Sequence, residues 1–207
     1  RTLIPGSSLI PLARRLREAG LLDGAVVLGA LLRNGVFQRR GSSDRSVDSL
    51  RQHIRSLVGG VEYATIEPVI EAALDDIAEL VYPGARLLIE RHLDAADFCV
   101  LVSAAPQPLV EGLAARLGVQ RGIGTVPEVV DGRLTGGVVG TFCYGAGKLA
   151  RLDEVLGSCD LSTATAYADS MSDLPVLEAV GGPVAVSPDR RLDNLARDEG
   201  WPILRFD

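Results

Sequence analysis

The sequence predicts an α/β fold: a doubly wound parallel sheet, with a helical segment inserted ahead of most of it. Three observations lead there. From Tyr82-Pro83-Gly84 onward, apolar strand-like runs alternate with helical patterns. Such alternation implies right-handed crossovers and a parallel sheet covered by helices on both faces. The first eighty or so residues, by contrast, read almost entirely as helix, and one Asp-Gly turn between two apolar runs adds a β-hairpin.

The helical part comes first. Leu9, Leu12, Ala13 and Leu16 keep the i, i+3, i+4, i+7 spacing over residues 8–20, with Ser8 as a start signal and Gly20 as a stop. Residues 24–32 form a second apolar helical stretch, and 35–46 a polar loop. Val47, Leu50, Ile54, Leu57 and Val58 make another stripe, ended by Gly59-Gly60. Residues 67–80 read as an acidic amphipathic helix.

The sheet follows. Residues 98–102 are a continuous apolar run, and 108–117 a helix with Pro108 in its first turn. Residues 128–130, Asp131-Gly132 and 133–139 form the hairpin. A helix at 149–156 leads to strands at 164–168, 183–186 and 203–206, with helices at 174–180 and 191–199 between them.

Composition narrows the function. With 207 residues, 47% of them hydrophobic, the chain can build one sizeable core. A formal charge of −6 argues against a nucleic-acid partner. No apolar run is long enough to span a bilayer and no leader pattern opens the chain. Cys99, Cys143 and Cys159 are odd in number, widely spaced and without a CxxC pair, which suits reduced thiols in the cytoplasm. His53 and His92 lack ligand-like spacing to them, against a zinc site.

In doubly wound sheets ligands bind beyond the carboxyl ends of the strands. Those ends deliver Ser103-Ala104-Ala105, Asp169-Ser170-Met171-Ser172-Asp173 and Ser187-Pro188-Asp189 to one edge. Asp169 and Asp173 are hard oxygen donors of the kind magnesium takes, although Asp173 equally suits capping of the helix that follows. Ser103, with the backbone N–H groups after it, including that of Ala104, suits an anion at a strand-to-helix turn; it is also an ordinary turn serine. Lys148 opens a helix among Gly145 and Gly147, and a solvated surface lysine would look the same. Arg39, Arg40, Arg45, Arg51 and Arg55, interleaved with Asp44 and Asp48, read as a solvated face.

Four stretches, in order, carry a resemblance: residues 129–136 (VVDGRLTG), Cys143-Tyr144-Gly145 with Gly147-Lys148, Ala168-Asp169-Ser170 with Ser172-Asp173-Leu174-Pro175, and residues 186–192 (VSPDRRL). Together they resemble the haloacid dehalogenase (HAD) superfamily, on its phosphoserine-phosphatase-like branch. The resemblance implies a Rossmann-like core from residues 1–8 and 81–207, with residues 9–80 as a helical cap that closes over substrate. It implies a magnesium-dependent phosphatase acting on a small phosphorylated substrate through a phosphoaspartate. Ser103 and Lys148 would act on the phosphoryl group, with Thr2, Ala104 and Ser172 helping to bind it. Asp169 and Asp173 would serve the metal, and Ser172 stands where many relatives have Asn.

Two departures accompany the resemblance. Arg1-Thr2-Leu3-Ile4 matches only the last part of the family's D-x-D-x-T motif, so the nucleophile and the acid/base aspartates are expected three and one positions before Arg1, respectively, on a central strand that leads into it. The 207 residues alone are expected to be inactive. Relatives acting on phosphoserine carry a glutamate where counting from Thr2 reaches Ser7, which shifts the expectation to another small phosphate monoester. A non-catalytic phosphate-binding domain of this fold, or the phosphatase-like part of a larger lipid-metabolism enzyme, remain the alternatives, and the oligomeric state is not legible.

Overall fold

A computed structural model describes residues 2–21 and 59–206. The expected helices at 24–32 and 47–58, the loop between them and the arginine cluster lie outside the described residues.

Helix α1 spans Leu9–Glu18 and buries Pro11, Leu12 and Leu16. Ser8 occupies the capping position without a side-chain bond; Ser7 Oγ accepts from the Leu9 N–H instead, at 3.3 Å. Gly20, with φ of 70°, turns the chain away as its left-handed freedom allows. Helix α2, Tyr63–Glu79, starts four residues earlier than the sequence pattern suggests and carries Pro68 inside it. Its early start is fixed from outside: the Tyr63 N–H donates to Gly132 O at 2.8 Å and Arg133 Nη1 to Gly60 O at 2.8 Å. Helix α3, Pro83–Asp94, was not anticipated and begins, like a typical first turn, on a proline.

Two three-stranded sheets follow. The first runs β1 (Val100–Pro106), β2 (Arg121–Val130) and β3 (Arg133–Val139). Strand β1 is parallel to β2, and β2 is antiparallel to β3 across the expected turn, where Asp131 (φ 48°) and Gly132 (φ 75°) both take left-handed backbone. The second sheet runs β4 (Thr165–Ala168), β5 (Gly182–Val186) and β6 (Ile203–Leu204), all parallel. Helices α4 (Gln107–Arg116), α5 (Gly147–Leu156), α6 (Leu174–Ala179) and α7 (Arg190–Asp198) connect them. Among the described residues β1 and β4 are each the edge of their own sheet.

Side-chain alternation along β1 explains the layers. Val100 and Val102 pack with Ile123, Cys143, Leu149, Leu152 and Leu156, so α5 lies on that face. Leu101 and Ala105 point the other way, to Leu109, Val110 and Leu113 of α4 and on to Leu74 and Ile77 of α2. The same cluster takes in Ile4, Leu12, Leu16 and Leu134, so α1 and α2 share a core with α4 and the hairpin. Leu74 and Ile77 are fully buried, each contributing on the order of 2 kcal/mol. Leu74 comes so close to α4 that a Cβ on Gly112 would lie 2.3 Å from its Cδ1. A smaller cluster around Ala168, Leu177, Ala185 and Leu192 holds the second sheet. His92 ties α3 to β4, with Nε2 2.8 Å from the Tyr167 hydroxyl and Nδ1 2.7 Å from Asp97 Oδ2.

Candidate functional site

The site gathers where β4 ends. Ala168 is buried, and the next residue, Asp169, leaves the strand with Oδ1 accepting from Thr2 Oγ1 at 2.8 Å. A single 3-10 turn, Met171–Asp173, follows. Ser170 holds it: its Oγ accepts from the Ser172 N–H at 3.3 Å, and its carbonyl from the Asp173 N–H at 2.9 Å. Ser172 Oγ lies 3.2 Å from Ser170 Oγ and 3.3 Å from Asp173 Oδ1.

Asp173 stands at the capping position of α6 but makes no capping bond. Its Oδ1 lies 2.6 Å from Lys148 Nζ, and the two side chains are 14% and 13% exposed. Lys148 is therefore no solvated surface charge, and Asp173 is no simple cap. The glycines around Lys148 fold its loop. Gly145 takes φ of 57°, and a Cβ on Gly147 would fall 2.1 Å from the Phe142 carbonyl oxygen. This tight turn starts α5 at Gly147 and brings Lys148 inward at the helix's first turn.

Ser103 lies within β1 rather than on the strand-to-helix turn that the sequence suggested. Regular pairing stops at Val102↔Ile123 and resumes at Pro106↔Thr125, so Ser103, Ala104 and Ala105 form a bulge that prolongs the strand. Within it the Ala105 N–H donates to Ser103 Oγ at 3.2 Å. Thr125 pins the bulge, donating to the Ala104 carbonyl at 3.0 Å and accepting from the Cys143 N–H at 3.2 Å. The amide of Gln107 bonds the β2 backbone beside the bulge, donating to Gly122 O at 2.9 Å and accepting from the Gly124 N–H at 2.6 Å.

Cys143 links the bulge to the lysine. Burial pushes its thiol up to about 11, against the pull of the positive charges on Lys148 and Arg151 and of the Ser103 N–H aimed at the sulfur. The structure thus joins Thr2 to Asp169 directly and Ser172 and Lys148 to Asp173 directly. Ser103 and Ala104 reach the same place through Cys143 and Thr125.

One contributor escaped sequence reasoning, and a second was placed at the site edge without a role. Thr125 sits in an apolar stretch with nothing to mark it. Asp189 caps α7, Oδ1 accepting from Arg191 and Leu192 N–H at 2.9 and 3.0 Å, while Oδ2 accepts from the Met171 N–H at 3.1 Å. The sequence brings Asp189 to that edge; an aspartate directly ahead of a helix is a capping signal that also gives its first role, whereas the bond to Met171 depends on the tertiary structure.

Among the described residues no three His, Cys, Asp or Glu side chains gather around one point. What the end of β4 offers is hard carboxylate oxygen from Asp169, with Asp173 four positions on. Magnesium takes only one or two protein carboxylates and fills its remaining positions with water and phosphate, so this donor set suits it.

Comparison with known proteins follows the same line. A model of the haloacid dehalogenase-like hydrolase family matches residues 1–178. Phosphoserine phosphatase SerB1 of Mycobacterium tuberculosis is 36% identical over 209 residues, covering 99% of this chain and 68% of that protein. The crystal structure of a protein of unknown function from Bordetella pertussis Tohama I matches with a TM-score of 0.77 at 27% identity, over 98% of this chain and 93% of that one. A substrate-bound phosphoserine phosphatase matches at 0.66 over 98% and 87%; at 19% identity it shows shared fold.

Proposed function

The chain belongs to the haloacid dehalogenase-like hydrolase family, on its phosphoserine-phosphatase-like branch, and from that premise we propose that it serves as a magnesium-dependent phosphatase for a small phosphate monoester. The observation that carries the reading is the shielded Lys148–Asp173 pair beside Asp169 and Thr2, at the carboxyl end of a parallel strand.

Each residue has a task in it. Lys148 neutralises phosphoryl charge, and its bond to Asp173 keeps the ammonium aimed inward. The Ser103 hydroxyl and the Ala104 N–H hold phosphoryl oxygens, with the bulge pinned by Thr125 setting their positions. Thr2 and Ser172 orient Asp169 and Asp173 by direct contact. Magnesium, held by Asp169 with help from Asp173, would supply charge neutralisation on the phosphate.

The nucleophile and acid/base are assigned to the two aspartates of the family motif that ends at Thr2. Thr2 lies beside the end of β4, because it bonds to Asp169; Ile4, two residues later, is already part of the buried cluster that also takes in Ala105 and Leu109 of the first sheet's layer. Residues 2–4 therefore link the two sheets, which supports a strand entering between β1 and β4, each an edge strand among the described residues. Attack by a carboxylate there would form the phosphoaspartate and expel the alcohol, protonated by the second aspartate; water then releases phosphate.

Residues 9–80 are assigned to a cap that shields the site and selects the leaving group, on a core of 1–8 and 81–207. Ser7, whose hydroxyl is occupied by the Leu9 N–H, lacks the charge to hold a substrate ammonium, so a monoester other than phosphoserine is favoured. A cytoplasmic setting belongs to the same proposal, supported by three free cysteines. Among the described residues no helix is long and apolar enough to cross a membrane.

The test is phosphate release by the intact gene product from p-nitrophenyl phosphate and a panel of small monoesters including phosphoserine, before and after chelation and magnesium return. Turnover that needs magnesium and favours another ester supports the proposal. Phosphate binding without turnover would replace it with a non-catalytic binding domain.

A further inference from the structure

Asp189 lies outside the group of residues assigned to phosphate or metal, yet its bonds converge on the turn that carries them. One carboxylate oxygen caps α7 by accepting two N–H groups, and the other accepts the Met171 N–H. Its own backbone N–H donates to the Asp169 carbonyl at 2.8 Å. The peptide units on both sides of Ser170 are thus held by one residue from a different strand end.

The chain is bent to achieve this. Ser187, at the exit of β5, takes φ of 40° although it is not glycine and precedes proline, a doubly disfavoured conformation. Its N–H is fixed to the Leu204 carbonyl at 2.8 Å. That turn carries the chain through Pro188, so that Asp189 faces both the α7 N-terminus and the 169–171 turn. Strain maintained this way, at the rim of a site, suggests positioning.

We propose that Asp189 is a positioning residue, clamping the backbone of Asp169–Met171 so that the Asp169 carboxylate is held ready for a divalent cation. The inference rests on the magnesium-phosphatase reading. It assigns Asp189 no contact with substrate or metal; it acts through the turn. Removing a group that orients a ligand from behind commonly costs 10–100-fold in metal affinity.

Asp189→Asn isolates the effect. The amide oxygen can keep capping α7, while its NH2 meets the Met171 N–H donor to donor, so the side-chain half of the clamp is lost and only the backbone bond to Asp169 remains. Asp189→Ser, a good cap too short to serve both elements, is the second variant. In metal-free full-length protein, amide exchange at Met171 should quicken at least tenfold in either variant, with α7 amides near wild type. In loaded protein, half-saturating magnesium should rise about tenfold or more, while kcat at saturating magnesium stays within about threefold. Gly112→Ala, a remote packing change, serves as control and should leave the magnesium requirement where it was. Unchanged Met171 exchange together with a magnesium requirement within twofold of wild type overturns the proposal, as does an equal rise in Gly112→Ala. A wild-type protein without magnesium-dependent turnover removes the phosphatase reading instead, and the metal-free exchange result still decides whether the clamp exists.

Discussion

Lys148 Nζ and Asp173 Oδ1 meet at 2.6 Å across the gap between α5 and α6, both side chains largely out of solvent. A shielded pair is costly to break from one side, because the remaining charge keeps its desolvation without its partner. Lys148→Ala should therefore lower stability by roughly 3 kcal/mol, read from urea unfolding. Adding Asp173→Asn should restore much of that loss while phosphatase activity stays down by orders of magnitude. Wild-type turnover in Lys148→Ala would refute its assignment to the phosphoryl group.

Cys143 gives a pH signature. Its thiol is held neutral up to about 11, whereas an unfolded thiol ionises near 9. The folded state then binds the extra proton, so its contribution is intact below pH 9 and is lost as pH rises from 9 through 11. Stability measured across that range should fall more steeply in wild type than in Cys143→Ala. Below pH 9, iodoacetamide should label the exposed Cys159 and spare Cys143 in the folded protein.

Gly112→Ala sets helix propensity against packing. In an exposed helix the exchange would gain about 1 kcal/mol. Here the new methyl would meet Leu74 Cδ1 at 2.3 Å, and Leu74, itself fully buried, can yield only by displacing the core around it. Packing should win, with a loss of about 1–3 kcal/mol in thermal or urea unfolding. A stabilised variant would mean that α2 does not sit on α4 as described.

Thr125→Val keeps shape and removes one oxygen. The Ala104 carbonyl and the Cys143 N–H both lose a partner beneath the Ser103 bulge. Stability should drop by about 1–3 kcal/mol. Turnover by the intact gene product should fall more than that loss explains, because Ser103 and Ala104 are no longer pinned. Rates unchanged at full folding would detach the bulge from phosphate binding.

Much of this was legible in advance, and the exceptions have physical causes. The hairpin came from Asp131-Gly132, since two consecutive left-handed residues all but demand that pair. Helix α3 was missed because Leu87, Leu88 and Ile89 run consecutively rather than at helical spacing. The start of β2 is hidden because Gly122 and Gly124 look like breakers; they let neighbouring backbone close in, with Glu111 Cα of α4 2.5 Å from where a Cβ on Gly122 would stand, and the Ala105 carbonyl of β1 and Gln107 Cα of α4 2.7 and 2.9 Å from one on Gly124. Ser103 was assigned to a turn because three small residues after an apolar run look like one, and a bulge depends on its partner strand.

Local chemistry alone determined the alternation of strands and helices, the hairpin, and the list of oxygen and nitrogen groups brought to one edge, because each depends on neighbours a few residues away. Only the tertiary structure decided which groups meet. Thr2 reaches Asp169 across 167 positions of sequence. Asp173 turned to Lys148 instead of capping α6, while Asp189 caps a different helix, α7. Those pairings follow from sheet register and helix docking, set by buried side chains such as Ile123, Leu152, Leu177 and Leu192. No spacing along the chain encodes them.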